Sequence, residues 1–306
     1  MSSEFGYAND PLRLEIISYI TSNPNSSIID IFNGIPASHT KVRHWLQELS
    51  RSSTISPSSP IGSVPLQSIT WTLGGGPVIP GSPELWVKMD NDLVGGKLRD
   101  YSGNAKHLTI TGTVYNAVNP SIGTFGTRSV DGLDDMFTDD SKTVGDFEKT
   151  DAFSGLIAVN HDVQGTRTTQ IYMSKSNASF LTGWQLFINA AGNVRLHLVS
   201  SGGGAILVSS VAVVSQGAFH TIGFTYDGSD TPAGITIFID GLPVSVTVDS
   251  DTLTGNIANN GAFKIGSREF SPSGFELVAD IADAFEWGEK LSNADVLSLH
   301  NELVAA

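Results

Sequence analysis

A length of 306 residues, with 40% hydrophobic and 16% charged residues and a net charge of −14, fits a globular chain of up to two domains. It excludes intrinsic disorder, which demands more charge and fewer apolar side chains. The lack of cysteine excludes disulfides, thiolate nucleophiles and cysteine-ligated zinc.

No apolar run approaches the ~20 residues that span a bilayer, so no membrane insertion is expected. Residues 1–7 show neither a basic region nor an apolar core, so no secretory signal is expected. Charge is divided unevenly: residues 1–75 hold four basic and five acidic groups, the remainder 13 basic and 26 acidic. So acidic a body repels phosphate backbones, which argues against nucleic acid as its ligand.

Asp10 and Pro11 open a first helix with Leu12, Ile16, Ile17 and Ile20 on its apolar side, stopped by Asn23-Pro24. Ser26 or Ser27 begins a short second helix over residues 28–32, and Ser38 caps a third with Val42, Trp45, Leu46 and Leu49 at helical spacing. Ile55 and the stretch from Leu66 to Leu73 supply two strands. Three helices and a hairpin resemble a winged helix-turn-helix, with Ser38, His39, Lys41, Arg43 and His44 on the face that reads DNA in that family. Yet no Lys or Arg occurs between Ser52 and Val87, so the wing has nothing to neutralise phosphate. The expectation is a winged-helix-like docking domain over residues 1–73 that binds protein. A Gly/Pro linker follows at residues 74–84; it has no lysine and opens no helix, so it is not a phosphate loop.

Residues 85–306 read as a series of short strands. The runs His220 to Tyr226 and Ile235 to Ile239 alternate, and each is followed by Asp-Gly, which predicts a tight turn after each. Ile235, Ile237 and Ile239 share one face, so Phe238 on the other requires that face to be covered or to bind something. Further words are Trp86 to Asp90, Phe125 to Gly132, Phe153 to Val159, Trp184 to Asn189 returning at Val194 to Val199, Phe263 to Ser267 and Ala279 to Trp287. A final amphipathic helix from Ala294 to Leu303 sets Val296, Leu299, His300 and Leu303 inward.

In their order these words resemble the laminin-G-like family of concanavalin A-like jelly rolls, with Phe219 where that family usually has tryptophan. The resemblance implies a mainly β fold, an antiparallel jelly-roll sandwich of two sheets, preceded here by the small α+β domain. It also implies calcium, with Asp90, Asp100 and Asp280 as candidate ligands; the plain alternative is aspartates that start turns. A bound glycan would lie on exposed rings, for which Tyr172, Trp184 and Phe270 are candidates, although each type is commonly a core residue.

Relatives of this architecture include glycoside hydrolases, which set three acids at alternating strand positions. This chain has no such run, and Asp280, Asp283 and Glu286, three apart, cannot line one face of a regular strand. Its seven histidines lack metal-ligand spacing and it has no nucleophile elbow, so they read as ordinary polar groups. No catalytic residue is expected, and the chain is read as a binding protein, not an enzyme. A small docking domain, a linker and a cysteine-free lectin-like head resemble the exterior proteins of tailed bacteriophages. That implies a capsid decoration, head-fibre or tail-fibre component on the virion exterior. Its partners would be a capsid or tail protein and host-surface glycans, in a homo-oligomer. The alternatives are a secreted or surface bacterial carbohydrate-binding protein, a glucanase-type hydrolase and a DNA-binding regulator.

Overall fold

The structure, a computed structural model, describes residues 11–22, 26–27, 31, 56–57, 70–72, 79–116, 126–161, 169–177, 182–269 and 274–305. The chain divides into two compact units, Met1–Val78 and Ile79–Ala306. In the first, Pro11–Ser22 is helical as its cap and proline predict, with Ile16 and Ile20 buried. Ser26–Ser27 are extended and pair with Thr70–Thr72, which also pairs with Ser56–Pro57 in a three-stranded sheet. The second and third predicted helices, apart from the buried Ile31, and the DNA-face candidates Ser38, His39, Lys41, Arg43 and His44 lie outside the described residues. Among the described residues no helix is long and apolar enough to cross a membrane.

Among the described residues the second unit is built on two antiparallel eight-stranded sheets. Sheet I runs Val246–Asp251, Ala205–Val213, Asn193–Val199, Gly183–Asn189, Thr169–Ser176, Phe263–Ile265, Met136–Thr138 and Thr109–Thr111. Sheet II runs Leu242–Val244, Ile235–Ile239, His220–Tyr226, Phe153–His161, Val278–Trp287, Thr127–Asp131 and Val114–Asn116, with Leu85–Lys88 also paired to Val278–Trp287. Between them lies one core, to which Ile222, Phe224, Tyr226, Ile235 and Ile237 contribute from sheet II and Trp184, Leu186, Leu196 and Val208 from sheet I. This inward set is what the alternation predicts.

The outer face of sheet II is apolar as well, and it is covered. Helix Asn293–Ala305 lays Val296, Leu299 and Leu303 over Leu156, Ala158, Phe238, Phe285 and Trp287, with Phe219 packed at the margin. Phe238 is therefore only 1% exposed. The turn Asp240–Gly241 joins its two strands in two residues, both with positive φ (52° and 74°), the geometry of a tight primed hairpin. Asp227-Gly228 departs from expectation. It opens an eight-residue connection containing the short helix Pro232–Gly234, and Asp227 accepts the Ser229 amide instead of closing a two-residue turn.

Replacing Phe238 by Ala empties a site closed on both sides, so a loss of about 3–5 kcal/mol is expected. Equilibrium urea unfolding measures it, and a loss below about 1 kcal/mol is incompatible with helix Asn293–Ala305 packing on this face.

Candidate functional site

Three of the six predicted site residues are carboxylates, and the structure separates them by role. Asp100 accepts the backbone amides of Trp86 (3.1 Å), Ser102 (2.9 Å) and Lys106 (2.9 Å) and the Ser102 hydroxyl (2.8 Å). Both its oxygens thus organise a loop. Asp90 accepts the Asp92 amide, and the Tyr101 hydroxyl lies between Asp90 Oδ2 (2.8 Å) and Asp92 Oδ2 (3.0 Å). The Lys88 ammonium sits over the rings of Trp86 (4.7 Å) and Tyr101 (5.0 Å), and Trp86 Nε1 donates to Asp283 Oδ1. Burial raises the Asp90 carboxyl and pushes Asp283 up to about 7, against the pull of Lys88 and the Trp86 bond. These groups staple the segment 86–102 to the outer face of sheet II.

Asp280 stands apart, held through Oδ1 by the Ser129 hydroxyl and the Asn116 side-chain amide. Asp90 and Asp100 are thus engaged in loop closure, and Asp280 in a separate contact across sheet II. Among the described residues the acids whose oxygens come within 4.8 Å of one another are Asp131, Asp134 and Asp135, a cluster visible as Asp-Gly-Leu-Asp-Asp and overlooked in the sequence. These three could hold a hard cation, although Asp135 already accepts the Asp131 amide and Asp131 that of Leu133.

The aromatic candidates need correction. Tyr172 and Trp184 are wholly buried in the core between the sheets; Trp184 packs on Phe153, Phe224 and Phe263 and donates Nε1 to the Gly145 carbonyl at 3.0 Å. Neither offers a ring to a sugar, since each faces inward on its strand. Phe270 lies outside the described residues.

What the strands do build on the outer face of sheet II is a row. Asn160, Asp280 and Ser129 pair side by side across three adjacent strands. With Gln216 and Gly217 of a neighbouring loop, and Val130, Val278 and Ala279, they line an open cleft of about 450 Å³. Every hydrogen bond to Asp280 among the described residues falls on Oδ1, so Oδ2 remains available as an acceptor. The two amides, Asn160 and Gln216, offer donors and acceptors together. This set suits hydroxyl groups. A second groove of about 360 Å³ on sheet I is lined in part by Asn189, Arg195, Ser209 and Asp249. There Arg195 is already committed to Asp249 (2.6 Å) and Ser209 (2.7 Å), which leaves less to recognise a ligand.

Among the described residues Asp280 is the one acid that lines this cleft. Asp280 borders it, Asp283 is buried against Trp86, and Glu286 is wholly buried opposite Gly155 on the core side, with no hydrogen-bond partner among the described residues. Burial, then the nearby Glu84, drives the Glu286 carboxyl well above its ordinary value.

Two antiparallel sheets around one core, with a polar cleft on an outer face, define a jelly-roll sandwich of lectin type. Residues 138–297 match the family model described as the concanavalin A-like lectin/glucanases superfamily, and the chain belongs to that family. No curated protein matches it in sequence. In fold it is similar to the binding domain of paraclostridial mosquitocidal protein 1 (TM-score 0.56, 14% identity, covering 72% of this chain and 52% of that one). It is also similar to the botulinum neurotoxin serotype G binding domain (0.51, 15%, 71% and 50%) and to the binding domain of botulinum neurotoxin DC solved with rat synaptotagmin II (0.51, 14%, 74% and 52%). Botulinum neurotoxin type C, whose cell entry depends on interaction with two ganglioside molecules, is similar at 0.51 and 14%, over 74% and 52%. The chain spans about half the length of these solved structures.

An acid whose pKa is raised on folding stabilises the fold when protonated, so the Asp283 contribution is complete below about pH 4 and fades as pH rises to about 7. His197, lowered to about 4 by burial and then by Arg195, acts oppositely, its contribution being lost as pH falls from 6.5 towards 4. The difference in unfolding free energy between Asp283→Asn and the parent isolates the first effect. It should move by roughly 2–4 kcal/mol in favour of the variant between pH 4 and 8, at 1.36 kcal/mol per pKa unit. A difference that stays flat across denaturation curves at these pH values would contradict the buried placement of Asp283.

Proposed function

We propose that this chain is a surface-binding module whose jelly roll holds a glycan in the cleft of Ser129, Asn160, Gln216, Gly217 and Asp280. The row Asn160–Asp280–Ser129 carries this reading: a carboxylate acceptor beside amide and hydroxyl groups, fixed by strand register. Such a set exchanges hydrogen bonds with a polyol, and the acidic remainder of the chain disfavours phosphate. Similarity in fold to a neurotoxin binding domain solved with synaptotagmin II, and to a neurotoxin type C whose cell entry depends on two ganglioside molecules, supports a cell-surface glycan or protein as the class of ligand.

More specifically, the reading is a bacteriophage virion appendage, a capsid decoration, head-fibre or tail-fibre component on the virion exterior. Residues 1–73 would be the winged-helix-like part that docks on a capsid or tail protein, and the jelly roll would contact the host surface. Homo-oligomerisation would let weak sites act together. The cysteine-free sequence and the division of the chain at Val78 support this plan.

A glycan array probed with the full chain, Asp280→Ala and Asn160→Ala tests the cleft. Each variant should bind its preferred glycan at least tenfold more weakly, which is about 1.4 kcal/mol. Equal retention by all three proteins would move the ligand elsewhere. Antibody labelling of purified phage particles tests the location, and its failure would leave the cleft reading standing alone.

A further inference from the structure

From the loop between strands Ala205–Val213 and His220–Tyr226, a chain of side chains that glycan binding does not use runs through His220 to the hairpin residue Asp240. Ser215 Oγ lies 2.8 Å from His220 Nε2, and His220 Nδ1 lies 2.8 Å from Asp240 Oδ2. The other oxygen of Asp240 accepts the Thr221 amide at 3.2 Å, and the Asp240 amide donates to the Thr221 carbonyl at 2.8 Å. The carboxylate is thereby fixed in position and direction.

These contacts set the polarity of the imidazole. A carboxylate only accepts, so Nδ1 carries the hydrogen that faces Asp240. Nε2 is then the acceptor, and the Ser215 hydroxyl donates to it. A serine whose proton points at the free nitrogen of a carboxylate-oriented histidine is an activated nucleophile. Ser215 is exposed whereas His220 is half-buried, so the nucleophile faces solvent and its base is held by the fold. Gln216 and Gly217, which follow Ser215 directly, line the polar cleft. Their backbone N–H groups donate to no acceptor among the described residues, which leaves them available to an oxyanion.

We propose that Ser215, His220 and Asp240 form a serine-nucleophile site that hydrolyses short acyl esters of polyols. Ser215 Oγ adds to the acyl carbon as its proton passes to His220 Nε2. The ester C–O bond breaks, and that proton leaves with the alcohol. Water, deprotonated by the same imidazole, then attacks the acyl-serine, releasing the carboxylic acid and restoring Ser215. Asp240 holds the ring and offsets its transient positive charge. The nucleophilic step stands on the triad alone; the choice of a polyol as alcohol rests on the reading of the cleft, where the hydroxyls would seat beside Asn160 and Asp280.

The test uses the full chain with a fluorophosphonate probe and p-nitrophenyl acetate, neither of which needs the cleft. One probe per chain should attach, mapped to Ser215 by peptide mass. Ser215→Ala should abolish both labelling and hydrolysis, and His220→Ala should slow them by roughly 10²–10⁴-fold, the usual range for loss of a general base. Because Ser215 is exposed, its Ala variant keeps the fold, which circular dichroism checks, so the outcome stands even where His220→Ala misfolds. Absence of an adduct on Ser215, or ester hydrolysis at the parent rate in Ser215→Ala, would overturn the proposal. Asp280→Ala should release O-acetyl groups from acetylated sugars at least tenfold more slowly. An Asp280→Ala protein that deacetylates such sugars at the parent rate would overturn the polyol assignment and leave the nucleophile in place.

Discussion

Strand Val278–Trp287 is covered on both faces over residues 281–287, and much else in the second unit is arranged around that constraint. One edge pairs along its length with Phe153–His161; the other is shared, residues 278–281 with Thr127–Asp131 and residues 283–286 with Leu85–Lys88. A bulge between these halves sends Ala282 into the outer cluster beside Phe285 and Trp287, while Ile281 and Ala284 stay in the main core. From residue 281 to 287, where both faces are covered, no wet side is left for the acids. Asp283 is therefore closed off by Trp86 and Glu286 by the core, and both carboxyls shift towards the neutral form. Asp280, on the far side of the bulge, is the acid of this strand that borders the open cleft. The same constraint that stabilises the sandwich thus separates the three acids a glycosidase would have to bring together.

Alternation made the sandwich legible in the sequence. Ile222, Phe224 and Tyr226 face the core as their spacing predicts, and Phe238 was readable as the mark of a covered second face. Even the cover was visible, since Val296, Leu299 and Leu303 recur at helical spacing. Aromatic identity was a poorer guide. Trp184 and Tyr172 carry polar atoms and looked suited to a surface, but period-two alternation does not say which of two faces meets water. Trp184 resolves its own polar atom by bonding the Gly145 carbonyl, a contact 39 positions away that no local pattern reveals.

The carboxylates were the least legible, because an aspartate at a strand end reads alike whether it closes a loop, binds an ion or faces a ligand. Asp100 closes a loop, as three amides within 3.1 Å show. The cleft was equally hidden, since Ser129, Asn160 and Asp280 meet only through strand register across distant parts of the chain. Asp240 was seen as half of an Asp-Gly turn, and its bond to His220 arises because the hairpin register returns it beside the start of strand His220–Tyr226.

That turn also explains how the strand start that bears His220 comes to be held firmly. Gly241 has φ of 74°, and a Cβ there would stand 2.7 Å from the Cβ of His300, so glycine is required both by the turn and by the helix lying over it. His300 Nδ1 in turn lies 2.9 Å from the hydroxyl of Thr221, the residue next to His220. The helix, the hairpin and the histidine strand are thus joined at one point, which fixes the imidazole before any ligand arrives. The strand and the hairpin hold His220 and Asp240, while Ser215 reaches His220 from the exposed loop.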